Sequence, residues 1–496
     1  MKKNIQWLSR CMAAVTLGLG LFACEKGSEK ANLAPSTTIA IDKINLAGSS
    51  RLVSTVQLNW TGFDQDGYVT GFEISKDGGQ TWATTTKSDS LFRFSFSPNT
   101  DTTDIHFLAR AIDNDGQKDA TPASLIIPIK NTPPTVRVDS SSISLSDTVF
   151  SVLTMGWNAT DSDGDNTLQS VSIKINDGDW YNLSPTVKLV SFVPETPMQN
   201  GATQSKIYQG YGNTLLSAKI AGLRVGDTNR VYIKAQDAAN TESLVYKSKA
   251  YYVARQKSDL LVIDTHNGTT TPTPEATYLP LLSSVYTAGY DRINMLSNNK
   301  ANQPKLWNTT FALVLGLYKK VFWYSDDSKG SVVEPNSMPL ESATATLQNF
   351  LNNGGKVFIT SKFPDGSSRL SRDSQLLSVL AVDSIAWQSS NLRLLGNRTV
   401  TSLKTGFPNL RTLTSAAGGT ITGLDVFYTK ADSLYECPVS PASGTWTGAN
   451  NVSLVKNYSN GRTNLVFFSV ELHLLNGDAA ALNTTFNKVL NEEFNW

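Results

Sequence analysis

From Thr37 to about Lys130, short runs of alternating apolar and polar residues are split by turn residues, the pattern of an antiparallel sandwich. The same landmarks then return. Trp60 lies four residues before Asp64-Gln65-Asp66-Gly67, and Trp157 lies four residues before Asp161-Ser162-Asp163-Gly164. Phe72-Glu73-Ile74-Ser75-Lys76-Asp77-Gly78-Gly79 matches Val171-Ser172-Ile173-Lys174-Ile175-Asn176-Asp177-Gly178, each an alternating strand running into an Asp-Gly turn. Phe107 to Asp113 (FLARAID) aligns with Val231 to Asp237 (VYIKAQD). Three ordered matches predict tandem all-β modules over 37–130 and 131–255, with the paired prolines of Asn131-Thr132-Pro133-Pro134-Thr135 holding the boundary extended. The second module is longer by about 27 residues, and Ser184 to Asn213 is the expected insertion. It reads as an irregular solvated loop, with partner contact through Tyr208, Gln209 and Tyr211 as the alternative.

After Tyr251 the pattern changes. Asp259 to Asp264 (DLLVID) is a continuous apolar run of the kind buried on both faces of a parallel sheet. Helical spacing over Pro274 to Ala288, a strand over Asp291 to Leu296, a helix-like stretch over Leu306 to Leu317 and a strand over Lys320 to Tyr324 follow. Pro339 to Asn353 carries Leu340, Ala343, Leu347 and Leu351 on one stripe and ends in Gly354-Gly355, a C-cap leading into a strand over Lys356 to Thr360. Alternating strand and helix predicts a doubly wound α/β domain over 256–496. Between Ser390 and Asn460 a polar, Gly- and Thr-rich alternation predicts an inserted β-rich lobe covering the strand ends. Trp387, Tyr428, Tyr435 and Trp446 in it read as core residues or as a platform for sugar rings.

The N-terminus differs again. A basic start at Lys2, Lys3 and Arg10 precedes the apolar run Met12 to Ala23, the length of a signal-peptide core rather than a membrane span. The run ends in Leu21-Phe22-Ala23-Cys24, which resembles the bacterial lipobox, with Phe22 bulkier than the usual residue there. The resemblance implies a lipoprotein: residues 1–23 a removed signal, Cys24 the acylated mature N-terminus, and 24–36 a polar, proline-terminated tether. The expected location is the bacterial cell envelope, as an outer-membrane lipoprotein facing the periplasm or the surface.

Composition narrows the partners. Among 496 residues, Lys and Arg number 43 and Asp and Glu 42, so no basic field points to nucleic acid, and the membrane partner is expected through the lipid alone. Cys11 leaves with the signal, and Cys437 is the remaining mature cysteine besides Cys24, a packed apolar residue in this reading. Asp161, Asp163 and Asp165 alternate as hard oxygen donors and make a candidate calcium loop, although the glycine and the twelfth-position residue, Ser172, depart from an EF-hand. An Asp/Gly turn is the simpler reading, and no other cofactor is expected. With three histidines in the chain, a multi-histidine metal site is not expected.

Three further resemblances concern fold. The paired modules, with a core Trp on an early strand and a late strand ending in Ala-x-Asp, resemble fibronectin type III and other immunoglobulin-like domains. Ser75 to Trp82 (SKDGGQTW) matches the sialidase-type Asp-box, a structural hairpin that here predicts a stabilised turn. Leu347 to Ser361 looks like the helix-Gly-Gly-strand unit of class I glutamine-amidotransferase-like domains, and Val466 to His473 with a closing helix supports it. That family places a cysteine on a G-x-C-x-G elbow. Here Ile359-Thr360-Ser361-Lys362-Phe363 has Ser for Cys and neither glycine, so thiol chemistry is not expected. The leading expectation is therefore a non-catalytic binding or adhesion module for a glycan, peptide or protein. The alternative is an envelope hydrolase at the strand ends, where Asp264, His266, Ser325, Asp326, Ser361, Glu471 and His473 fall, with Ser361, His473 and Glu471 as nucleophile, base and orienter.

Overall fold

The computed structural model describes residues 30–42, 46–48, 51–97, 100–139, 147–268, 272–294, 309–326, 338–364, 370–386, 392–414 and 419–495. The lipobox around Cys24, and Trp387, lie outside the described residues. The chain is strand-rich and forms two compact units. The first comprises residues to Pro133 together with Asp161–Thr167 and Ala238–Thr241; the second comprises Pro134–Thr160, Leu168–Asp237 and Glu242–Trp496.

In the first unit, strands Ser36–Ile41, Thr55–Phe63 and Asp89–Arg93 pair in that order and face a six-stranded sheet built around Val69–Ser75, Thr102–Asp113 and Ala123–Lys130. Thr55–Phe63 alternates as the sequence does: Val56, Leu58 and Trp60 point into the core. Trp60 sits between the two sheets, its ring 6.0–6.4 Å from those of Phe72, Phe92 and Phe107. The Ser75–Trp82 box folds as a turn. Ser75 Oγ donates to Asp77 Oδ1 at 2.7 Å, Thr81 N donates to the same oxygen at 2.9 Å, and Thr81 Oγ1 donates to Asp77 Oδ2 at 2.6 Å. Arg110 lies over the Trp82 ring at 4.2 Å.

The second sandwich faces a five-stranded sheet, ordered Thr135–Val138, Leu153–Thr160, Leu189–Pro194, Gly201–Gln209 and Thr214–Val225, against a four-stranded one centred on Leu168–Ile175 and Val231–Asp237. The repeat read from the sequence recurs in the pairing: Phe72 opposes Ala111 in the first module, and its counterpart Val171 opposes Ala235 in the second. The insertion is not the solvated loop expected. Ser184 to Asn213 is largely ordered sheet, with Leu189–Pro194 buried along its whole length and paired on both edges. Val190 and Phe192 enter the sandwich core, while Val193, with Val152, enters a core of the C-terminal region.

That C-terminal region is built on five parallel strands: β1 (Leu260–Thr265), β2 (Asp291–Asn294), β3 (Lys320–Ser325), β4 (Lys356–Thr360) and β5 (Leu465–Phe468), in the order β2-β1-β3-β4-β5. Their helices are α1 (Pro274–Val285), α2 (Thr309–Leu315), α3 (Thr344–Asn352) and α4 (Ala479–Asn487). Alternate residues of one strand feed two cores. Leu260, Val262, Phe322, Tyr324 and Phe358 pack with Tyr278 and Leu282 of α1 and Phe486 of α4, whereas Leu261, Ile263, Val321, Trp323 and Ile359 pack with Phe311 of α2 and Leu347 and Leu351 of α3. Burial on both faces explains why these strands read as unbroken apolar runs. Thr273 starts α1 by accepting from Ala276 N, with Pro274 in the first helical position. Gly354, at φ +84°, closes α3: Gly354 N donates to Leu351 O and Gly355 N to Phe350 O, a Schellman ending.

Three expectations shift. The helix expected from Pro339 breaks at Ala343, with Pro339–Ser342 as a separate turn. The closing strand ends at Phe468 rather than running through His473, and Glu471 precedes a 3-10 turn, Leu472–Leu475. The inserted lobe extends the sheet sideways: Asn451–Lys456 pairs antiparallel with β5 and leads on to Asp432–Glu436 and Thr399–Ser402. Its Asp425 does reach the strand ends, where Oδ2 accepts from Phe363 N at 2.8 Å and the carbonyl accepts from the Ser469 hydroxyl.

The boundary expected at residue 255 falls inside the second unit. There Thr310 Oγ1 donates to Thr154 Oγ1 at 2.7 Å, Asn213 Nδ2 to Thr309 O at 3.1 Å, Gln256 Nε2 to Leu317 O at 2.8 Å, and Lys257 N to Asp291 Oδ2 at 2.7 Å. Among the described residues no helix is long and apolar enough to cross a membrane.

Candidate functional site

Parallel strands end their hydrogen-bond ladder with side chains and loop amides gathered at one edge, which is where open sheets of this kind offer a site. At the end of β1 stand Asp264 and His266, past β3 stands Asp326, and past β5 stand Glu471 and His473. The geometry joins most of them. His266 Nε2 and Glu471 Oε1 are 2.7 Å apart, with the two side chains 4% and 6% exposed, so the pair is essentially dry. Burial by itself would push His266 down, yet the bond and charge of Glu471, with Asp326 and Asp264 behind it, more than reverse this and hold the imidazole above its ordinary value.

His473 has the opposite environment. Burial first, and the neighbouring His266 second, push it down to about 3, so it is held neutral. The two imidazole rings meet edge to face with centroids 5.6 Å apart. Tyr278 of α1 supports His473 twice over: its hydroxyl accepts from the His473 backbone N–H at 2.8 Å and lies 3.3 Å from Nδ1. Fully buried, that phenol is pushed well above its ordinary value.

A second layer fixes the first. Asp264 Oδ1 accepts from His266 N at 3.2 Å, while Oδ2 accepts from Arg292 Nη2 at 2.6 Å and from Asn294 Nδ2 at 3.0 Å. Burial raises the Asp264 carboxyl even with this guanidinium beside it. Arg292 also bonds Glu275 at 2.6 Å, tying β2 to the start of α1. Asp326 Oδ2 accepts from Asn267 N at 2.9 Å and so holds the loop that carries His266.

Ser361 is not joined to the histidines. It is fully buried, its amide donates to Phe468 O as part of the sheet, and its hydroxyl donates to Lys362 O at 2.9 Å. Glu471 orients His266 rather than His473, so the Ser361-His473-Glu471 arrangement does not form in this structure. Sequence reasoning missed Tyr278 and Arg292. Tyr278 carries no signal inside an amphipathic helix, whereas Arg292 had one, a charge on a short strand of a sheet buried on both faces.

The acidic loop has other work. Asp163 Oδ1 accepts from the Ser54 hydroxyl at 2.5 Å and Oδ2 from Thr132 N at 2.6 Å. Asp161 accepts from Asp163 N and from the Thr167 hydroxyl, and Asp165 Oδ1 accepts from Asp161 N at 3.0 Å. Each of the three carboxylates therefore braces the loop. In the lobe, Tyr435 is core, Tyr428 is exposed, and Cys437 is buried with its thiol pushed up to about 12. An open groove of about 510 Å³, lined among others by Arg398, Glu436 and Asn450, lies beside Cys437.

No family model and no curated protein matches the chain. Solved structures do match part of it. They include the fibronectin(III)-like modules of Clostridium thermocellum CbhA (14% identity, 44% of this chain and 94% of that one, TM-score 0.17). Others are chicken CNTN1 FN1–FN3 domains (15%, 46% and 68%, TM-score 0.20) and domains 4 and 5 of the S-layer protein SbsC (12%, 45% and 100%, TM-score 0.19). At such scores the likeness carries no argument, and the sandwich description rests on the strand pairing above.

Proposed function

We propose that this chain is an envelope-anchored binding protein: lipid on Cys24, two fibronectin III-like modules, and a C-terminal domain of flavodoxin-like, amidotransferase-like build that takes a polar ligand, a glycan, peptide or protein segment, at its strand ends. The strand order β2-β1-β3-β4-β5, with helices packed on both faces, supports the doubly wound reading. One observation carries the site. His266, Glu471, Asp264 and Asp326 converge from the ends of three different strands, a costly concentration of buried charge that a purely structural sheet edge does not require. The buried, sheet-bound Ser361 favours binding over turnover.

The test is a panel of oligosaccharides and peptides offered to the mature chain and to its His266→Gln and Glu471→Gln variants. A ligand held at the strand ends is expected to bind the variants at least about tenfold more weakly, a difference of about 1.4 kcal/mol. Binding that survives in both variants would remove the strand-end assignment. Covalent labelling of Ser361 by a serine-reactive probe, lost in Ser361→Ala, would overturn the non-catalytic reading. For the anchor, Cys24→Ser is expected to move the protein from the membrane to the soluble fraction; unchanged fractionation would defeat it.

A further inference from the structure

Two of the chain's three histidines meet a buried carboxylate at the strand ends, and this is the group of three His, Cys, Asp or Glu side chains that could share one ion among the described residues. One ligand atom from each of His266, Glu471 and His473 lies within 4.8 Å of the others. We propose that these three side chains bind a divalent transition cation of the zinc class, leaving a further coordination position for an oxygen atom of the bound ligand. The proposal rests on the strand-end site argued above and deepens it.

The donor set selects the cation. Two imidazole nitrogens and one carboxylate suit zinc, which is held by three protein ligands where a position stays open, whereas calcium requires six or more oxygens and magnesium an octahedron of them. The spacing is near what a metal needs. Donors about 2.0–2.2 Å from a tetrahedral ion stand roughly 3.3–3.6 Å from one another, so atoms already within 4.8 Å need to close by at most about 1.5 Å. His266 and Glu471 are already closer than that, at 2.7 Å, because a proton now bridges them; the cation would take that proton's place.

The supports also match those of a metal site, where each ligand is oriented from behind. Asp264 accepts from the His266 amide and is itself held by Arg292 and Asn294. Tyr278 fixes His473 through both its backbone N–H and Nδ1. Asp326 pins the adjoining Asn267 amide and adds negative potential that favours a cation. A buried ion pair alone would explain His266 and Glu471, but not why a second imidazole is anchored within reach of both.

Chelator-treated full-length mature chain, titrated with Co²⁺ as a visible probe and then with Zn²⁺, tests the proposal. One equivalent of Co²⁺ is expected, with the ligand-field absorption of a four- or five-coordinate site, displaced by one equivalent of Zn²⁺. Glu471→Gln and His473→Gln are expected to lose affinity by about 100-fold or more, while His106→Gln, in the first sandwich, keeps it. Near-ultraviolet circular dichroism selects the variants that retain the fold, and His266→Gln replaces any that does not. Failure of the folded wild-type chain to take up either metal, or undiminished uptake by the folded variants, overturns the proposal and leaves the triad a structural ion pair. The two readings separate cleanly. Oligosaccharide or peptide binding at the strand ends by a chain that takes no metal sinks the metal site alone. Metal uptake by a chain whose panel binding ignores the strand-end variants sinks the binding site alone.

Discussion

Asp77 holds its turn by collecting donors: two from Thr81 and one from Ser75 bring its carboxyl down to about 2 from an ordinary 3.8. A carboxyl whose folded value is depressed contributes stability above its unfolded value, and that contribution is lost as pH falls through the folded one. Melting of the first sandwich is therefore expected to weaken between about pH 4 and pH 2 more steeply in wild type than in Asp77→Asn. Parallel acid limbs for the two proteins would show that Asp77 carries no such linkage. At the strand ends, Glu471→Ala leaves a buried imidazole without its counter-charge, and urea denaturation should register a loss of about 3–5 kcal/mol. The residues of this site were legible in the sequence as chemistry at strand ends: Asp264, His266, Asp326, Glu471 and His473 all fall there. Their partnership was not. The hydrolase arrangement set Glu471 behind His473 as its orienter, whereas the strand ends at Phe468 and Glu471 pairs across the sheet edge with His266.

Elements show the same division. The end of α3 was legible because Gly354-Gly355 meets a specific backbone demand, a left-handed residue that lets two amides reach the last carbonyls. Gly354→Ala should cost about 1 kcal/mol in urea denaturation. Gly355→Ala should cost more, since an added Cβ would stand 2.4 Å from the Phe350 ring. Equal effects would mean that the ring simply moves aside. The repeated modules were legible too, because period-two alternation survives wherever one sheet face is wet. Leu189–Pro194 escaped notice for the converse reason. Its Val190 and Phe192 face the sandwich core while Val193 faces the C-terminal region, and a strand covered on both sides shows no alternation to find.

For the molecule as a whole, the second sandwich is part of the same compact unit as the C-terminal region rather than a detached spacer, and the packing of Val152 and Val193 into the C-terminal core is the reason. Calorimetry on the full chain should show this unit unfolding in one transition, and Val193→Asp should lower it as a whole. Separate transitions for the sandwich and the parallel sheet would refute the shared core. No pattern in the sequence announces such a union, since contacts between distant segments leave no local period. The union also has a mechanical side. A pull on the chain reaching the parallel sheet does not arrive through the short segment after Val253 alone; Thr154 and Asn213 of the sandwich also hold the start of α2, at Thr310 and Thr309. Tension on that segment is thus shared with bonds made by the body of the sandwich.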